Sequence, residues 1–310
     1  MTNNDKKTKL KKGGVLPAIV TPKDDHGKVD LKKIKPIVDF LFSKGVDGLH
    51  VNGTTGEFAS LSVEERKLIL EECISAAKGR GIIINQVGAV ATRDVVALAE
   101  HSAMAGADAV SSVPPFYYPT TRAMILNHYR RISESSGLPV VIYDNPTTTG
   151  TTITPDIAGM LSAEDTVHGI KVARGDMYAT ARFANLKQSK FVIYPVETFY
   201  LSGLTISDYA GTIGSMSNWI PEIFVGIRLN YQSGNIRRAA ELQRLVCELI
   251  NAYTGDEIPC TKALVEYRGM KCGDTWEPML KLNEDQKRTL YKSIESFNLN
   301  FDKLAEVSDI

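Results

Sequence analysis

Eight short apolar runs recur along this chain, and their spacing limits the folds open to it. They lie at 14–21 (GVLPAIVT), 46–52 (VDGLHVN), 81–88 (GIIINQVG), 107–113 (ADAVSSV), 138–143 (LPVVIY), 167–172 (VHGIKV), 191–196 (FVIYPV) and 209–215 (YAGTIGS). Most are rich in β-branched residues and bounded by Gly or Pro, the pattern of parallel strands covered on both faces. Amphipathic segments fill the gaps. Residues 30–44 place Leu31, Ile34, Ile37, Val38 and Leu41 on one helical face. Segment 62–78 opens with Ser62 and reaches Glu65 three positions later, a capping box. Helices are also predicted at 93–105 and at 121–135, the latter capped near Thr120 or Thr121. Shorter ones fit 154–163, 176–187 and 198–204.

Eight strands alternating with helices predict an α/β fold, a (β/α)8 or TIM barrel. The competing fold is an open doubly wound sheet, but no G-x-G-x-x-G or Walker pattern follows the first strand. After about residue 221 the strand pattern stops. Helices are expected at 222–232, 235–253, 258–270 and 283–297. The expected division is a flexible basic tail at 1–12, the barrel at 13–221 and a C-terminal helical region at 222–310 packed on the barrel.

Lys+Arg and Asp+Glu both number 36, so no net field draws the chain to nucleic acid or an anionic membrane. No run of 18 apolar residues is available to span a bilayer. The start, MTNNDKKTKLKK, has no apolar segment behind it and reads as a solvated tail, not a secretory signal. Cys73, Cys247, Cys260 and Cys272 are scattered and expected to be buried small hydrophobes in a reducing compartment, so a cytoplasmic location is expected. The five histidines sit on separate elements, and no metal or organic cofactor is expected.

A barrel of this kind carries its active site at the C-terminal ends of its strands. There the chain places Gly53-Thr54-Thr55-Gly56, Tyr117, Tyr143, Lys171, Glu197 and Ser215. An amine, tyrosines and threonine hydroxyls suit Schiff-base chemistry. Burial in a barrel favours the free amine of a lysine, which can condense with a ketone to give an electron-sink iminium. A tyrosine can shuttle protons, and a GTTG loop offers hydroxyls and backbone N–H groups to a carboxylate. Taken singly, GTTG also fits a tight turn, and Tyr117 or Tyr143 a core, interface or rim aromatic.

GTTGE at 53–57, Y-x-N-P at 143–146 and GIK at 169–171 resemble the dihydrodipicolinate synthase/N-acetylneuraminate lyase superfamily of pyruvate-dependent class I aldolases. PPFYYP at 114–119 and N-x-x-P at 218–221 extend the resemblance over about residues 14–300. It implies that Lys171 forms the Schiff base, that Tyr143 is the acid/base, and that Thr54 and Thr55 hold the pyruvate carboxylate beside Gly53. Tyr117 looks like the tyrosine that family members lend to a neighbouring subunit. The resemblance thus implies a homodimer as the minimal unit and commonly a tetramer.

Substrate cues depart from two branches. Dihydrodipicolinate synthases usually carry an arginine where Thr148 stands, and that arginine grips the aldehyde's carboxylate. Sialic acid lyases usually have a threonine where Ala173 stands and Gly-x-Asp-Glu after strand 7, where Pro195-Val196-Glu197-Thr198 is found. The YxxPxxTG form without the arginine, and GTIGSMSNWIPE, look most like 2-keto-3-deoxy-sugar-acid aldolases. Arg174 is read either as a pocket residue or as a surface salt bridge. The expected activity is reversible cleavage of a 2-keto-3-deoxy sugar acid to pyruvate and an aldehyde. Thr148, Arg174, Glu197 and Ser215 are expected to contact the substrate. The alternatives are N-acetylneuraminate lyase, dihydrodipicolinate synthase, a 2-keto-3-deoxy-acid dehydratase and a silent 2-oxo-acid-binding barrel.

Overall fold

A computed structural model describes residues 2–163 and 167–307; Met1 of the expected tail and residues 308–310 of the expected helical region lie outside them. The eight strands are β1 (Gly14–Pro17), β2 (Gly48–Val51), β3 (Ile82–Gln86), β4 (Ala109–Ser112), β5 (Val140–Asp144), β6 (Val167–Val172), β7 (Val192–Pro195) and β8 (Gly211–Gly214). All are parallel to their neighbours. β2 to β7 form one sheet in sequence order, and β1 pairs with β8. Bridges Ala18–His50 and Ile193–Ala210 join the two sheets, so the ring closes. The seams are hydrogen-bonded: Ile19 N–H donates to His50 C=O at 3.0 Å, and Ile193 N–H to Tyr209 C=O at 3.0 Å.

Closure separates two apolar regions. Leu16, Ile84, Val141, Val192, Tyr194 and Ile213 fill the barrel's interior. Their strand neighbours Val15, Ile83, Val140, Ile142 and Ile193 face outward under the helices. The helix Val63–Ala77 begins at the expected capping box, with Ser62 and Glu65 each bonding the other's backbone N–H. Thr121 caps Arg122–Ser136. Pro221–Gln232 follows β8 and packs on β1 and on Ile236–Asn251.

β6 is not regular. Val140 of β5 pairs with Val167, but Val141 pairs with Gly169, so His168 is one extra residue in the ladder. Val167 faces outward before the slip, and Ile170 and Val172 face outward after it. Lys171 therefore points inward, directly across from Tyr143.

The N-terminal segment differs from the solvated tail expected for residues 1–12. Asn3–Leu10 is a helix with its own capping box, Thr2 with Asp5. Leu10 is fully buried within the interior cluster, and its C=O accepts from the Tyr194 hydroxyl at 3.4 Å. Lys9 pairs with Asp108 at 2.7 Å, and Lys6 donates to Ala107 C=O at 2.8 Å. Two of the five lysines that made the segment read as solvated thus reach partners just before β4, and one leucine plugs the N-terminal mouth of the barrel. Cys247 also departs from expectation: it is exposed, whereas Cys73, Cys260 and Cys272 are buried. Truncating the plug leaves a void among close-packed side chains, so Leu10→Ala is expected to cost about 2–5 kcal/mol. A lowered thermal midpoint against wild type checks it.

Candidate active site

The strand ends converge on a cavity of about 530 Å³. Its floor is Lys171, Tyr143, Thr54 and Thr55. Lys171 is 5% exposed and its Nζ stands 4.0 Å from the centroid of the Tyr143 ring. Among the described residues no carboxylate lies within ion-pair distance of it. The Tyr143 hydroxyl is 3.0 Å from Thr54 Oγ1 and accepts a long bond from Asn145 Nδ2 at 3.5 Å. A phenol and a threonine hydroxyl are thus hydrogen-bonded to each other beside a buried amine, an arrangement able to move protons next to it.

The GTTG loop is held in place from three directions. Its flanking residues Asn52 and Glu57 are left-handed, with φ of 56° and 57°. Asn52 Nδ2 donates to Arg66 C=O and Asn85 Oδ1, and the Thr21 hydroxyl donates to Gly56 C=O at 2.8 Å. The third anchor is a buried ion pair. Lys262 Nζ lies 2.9 Å from Glu57 Oε1, and Trp276 N–H donates to Glu57 Oε2 at 2.7 Å. Lys262 also donates to Thr21 C=O and Asp274 C=O, so its ammonium is fully paired. Gly53 admits no side chain, because a Cβ there would lie 2.7 Å from His50 Nδ1. His50 itself is buried under the site, edge-on to Tyr143 at 5.9 Å and 2.8 Å from the Ser111 hydroxyl. Burial first, and the nearby charge of Lys171 second, hold His50 well below the ordinary imidazole range. Breaking one side of the Glu57–Lys262 pair strands a buried charge. Lys262→Met is expected to cost about 3–5 kcal/mol, and Lys262→Met with Glu57→Gln much less. A double-mutant cycle in thermal or chemical unfolding checks this.

Other expected site residues fall in different places. Thr148 and Ser215 line the cavity, and Gly53 supports its floor from the adjoining turn. Arg174 does not: its guanidinium donates to Asp144 at 2.6 Å, to Asp176, and to Ile153 C=O. Asp144 is fully buried and needs that cation, which is why the side chain turns away from the cavity. Glu197 is also not in the lining. It is 5% exposed, and its two oxygens accept the N–H groups of Met216 and Ser217, each at 2.8 Å. Gly214 makes room for it, since a Cβ would lie 2.2 Å from the carboxyl carbon. Glu197 therefore shapes the turn that presents Ser215, and it does so from behind. Tyr117 is 80% exposed, stacked edge-to-face on Tyr118 and left-handed at φ 81°, well outside this chain's own cavity.

Asp256, Glu257, Ile258 and Met279 complete the cavity rim. Sequence reasoning passed over them. Asp-Glu before a helix reads as first-turn acid that suits the helix dipole, and Glu257 does begin the helix Glu257–Tyr267. Nothing local says that this turn folds back over β8, where the Ser215 hydroxyl donates to Glu257 Oε1.

Burial pushes the Glu197 carboxyl up to about 7 from an ordinary 4.5, against the lowering pull of the Ser217 and Met216 hydrogen bonds. The folded chain then holds a proton that the unfolded chain releases between those values. The stabilisation is complete below about 4.5 and is lost as pH rises through about 7. Replacing Glu197 by Gln removes that titration. Melting temperatures measured from pH 5 to 8 are expected to fall less steeply with pH in Glu197→Gln than in wild type.

A barrel with a buried lysine that has no ion-pair partner among the described residues, beside a hydrogen-bonded tyrosine, fits one class of enzyme, the class I aldolases. The chain belongs to the dihydrodipicolinate synthetase family, whose model matches residues 11–297. It is similar to an N-acetylneuraminate lyase of Rhizobium meliloti (strain 1021), 31% identical over 92% of this chain and 95% of that protein. It is also similar to a 4-hydroxy-tetrahydrodipicolinate synthase of Bacillus velezensis, 29% identical over 90% of this chain and 96% of that one. Among solved structures, CdNal from Clostridium difficile, in complex with mannosamine, superposes with a TM-score of 0.87 at 27% identity. That match covers 92% of this chain and 99% of the other. The family is that of the pyruvate-dependent class I aldolases, and its differently named members share the architecture found here.

Proposed function

We propose that the protein is a Schiff-base-forming aldolase that reversibly cleaves a 2-keto-3-deoxy sugar acid to pyruvate and an aldehyde. The observation that carries this reading is the Lys171 amine, buried, without a counter-ion among the described residues, and seated on the face of Tyr143. Lys171 adds to the C2 ketone, and Tyr143 gives its proton to the hydroxyl that leaves as water, giving the iminium and a Tyr143 phenolate. Tyr143 takes the C4 hydroxyl proton as the C3–C4 bond breaks, and the bonding pair passes into the iminium as an enamine. The aldehyde departs, the enamine is protonated at C3, and water releases pyruvate. Thr54 bonds the Tyr143 hydroxyl and extends its proton path, while Thr55 and the GTTG backbone receive the pyruvate carboxylate. No metal or organic cofactor enters this scheme.

Thr148 and Ala173 favour the sugar-acid reading over dihydrodipicolinate and sialic acid. Both line the cavity: Thr148 lacks the guanidinium usual in the first branch, and Ala173 lacks the hydroxyl usual in the second. Tyr117, projecting from its own chain, supports a homodimer in which it completes the partner's site; a tetramer acting in the cytoplasm is proposed with it on the family resemblance alone.

Borohydride reduction in the presence of pyruvate is expected to add one pyruvate-derived mass to wild type and none to Lys171→Ala, read by intact-mass spectrometry. An unmodified, folded wild type would overturn the aldolase reading in favour of a silent binding barrel. Tyr143→Phe is expected to lower kcat by about 10²–10⁴ while still forming the adduct. Pyruvate release from 2-keto-3-deoxy sugar acids, followed with lactate dehydrogenase, separates this activity from a dehydratase, which releases none.

A further inference from the structure

We propose that the aldehyde end of the cavity accepts a polyhydroxylated aldehyde bearing no carboxylate, and that Glu257, with Asp256 beside it, sets this specificity from outside the barrel. The inference rests on the aldolase reading above and narrows its substrate.

The charges around the cavity are few and unequal. Among the described lining residues, Lys171 is the single cation. It is nine-tenths buried, has no ion-pair partner among the described residues, and is committed to the ketone carbon. Once it is an iminium, the remaining charged side chains of the lining are the carboxylates of Asp256 and Glu257, both on exposed residues of the rim. Arg174, the nearby cation that could have offset them, is held off the cavity by Asp144 and Asp176. The N-terminus of Glu257–Tyr267 would favour an anion, but the two acids already occupy that end.

The same rim is rich in hydroxyl-binding groups. Ser215 donates to one oxygen of Glu257, which fixes the carboxylate over the end of β8. Its other oxygen is a strong acceptor for a ligand hydroxyl. Thr147 and Thr148, after β5, add two hydroxyls to the lining; that of Thr148 already donates to Asn145 C=O and is left as an acceptor. A neutral polyol gains hydrogen bonds here. An aldehyde with its own carboxylate meets two like charges and no cation, which is discrimination by repulsion.

The test compares kcat/KM for condensation of pyruvate with glyceraldehyde, a neutral probe, and with succinic semialdehyde, an anionic one. Wild type is expected to favour glyceraldehyde. In Asp256→Asn/Glu257→Gln the anionic-to-neutral ratio should rise roughly tenfold, as expected for removing charge a few ångströms from the ligand in a partly wet site. In wild type the same ratio should rise with added salt, because exposed carboxylates are screened. The salt series needs no variant, so it decides the matter if the substituted rim fails to fold. The inference is overturned if wild type prefers the semialdehyde, if salt leaves the ratio flat, or if a folded double variant leaves it unchanged. Pyruvate trapping by borohydride tells the two failures apart. Trapping with an unmoved ratio removes this inference alone, whereas no trapping in wild type removes the aldolase reading and this with it.

Discussion

One extra residue in a parallel ladder decides which way the reactive amine faces. Strand side chains alternate strictly, so an unslipped β6 with Val167 outward would also send Lys171 outward, under the helices. The slip at His168 reverses the parity for the last four residues of the strand. Lys171 then meets Tyr143, its register partner on the adjacent β5, inside the barrel, and Ile170 and Val172 keep the outer core filled. The place of Lys171 beside Tyr143 and the outer packing both rest on that single displacement.

The cavity is then held by charges that do not touch it. Glu57 and Lys262 bind the GTTG loop to the C-terminal helices, and Glu197 holds the turn that presents Ser215. Buried carboxylates bonded to backbone N–H groups fix loop geometry more stiffly than apolar contacts can, because an unmade bond there is costly. Arg174 and Asp144 do similar work behind β5 and β6. The helical region after the barrel is thus part of the site: it supplies Lys262 beneath the floor and Glu257 on the rim.

Much of this was legible in the sequence. Seven of the eight strands lie inside the expected runs, and β5 passes its run by one residue to Asp144, because a strand covered on both faces must be continuously apolar; the box at Ser62 and Glu65 marked its helix. Lys171, Tyr143, Thr54 and Thr55 were legible because strand ends are where a barrel exposes chemistry, and they do meet in one cavity. Glu197, and Arg174 in its pocket reading though not in its salt-bridge one, lie off the cavity for a common reason. Each follows a strand end, but each is claimed by a buried partner that only the fold brings near: Asp144 from another strand, and two N–H groups from the turn after β8. Glu257 was hidden by the opposite effect, since its local pattern already had a sufficient explanation in the helix it begins. The N-terminal helix was missed because charge dominated the reading and one buried leucine carries no periodicity.

That helix also bears on the order in which the chain can be completed. Its partners lie far ahead: Lys6 meets Ala107 across 101 positions, and Leu10 meets Tyr194 across 184. Contacts of such separation raise contact order and arrive late. A ribosome adding about 5–20 residues per second needs roughly ten to forty seconds to reach Tyr194. For that interval Leu10 lacks its Tyr194 partner, and the N-terminal mouth of the barrel has no complete wall to receive it. The earliest part of the chain is therefore among the last to be secured, at the end of the barrel opposite the chemistry.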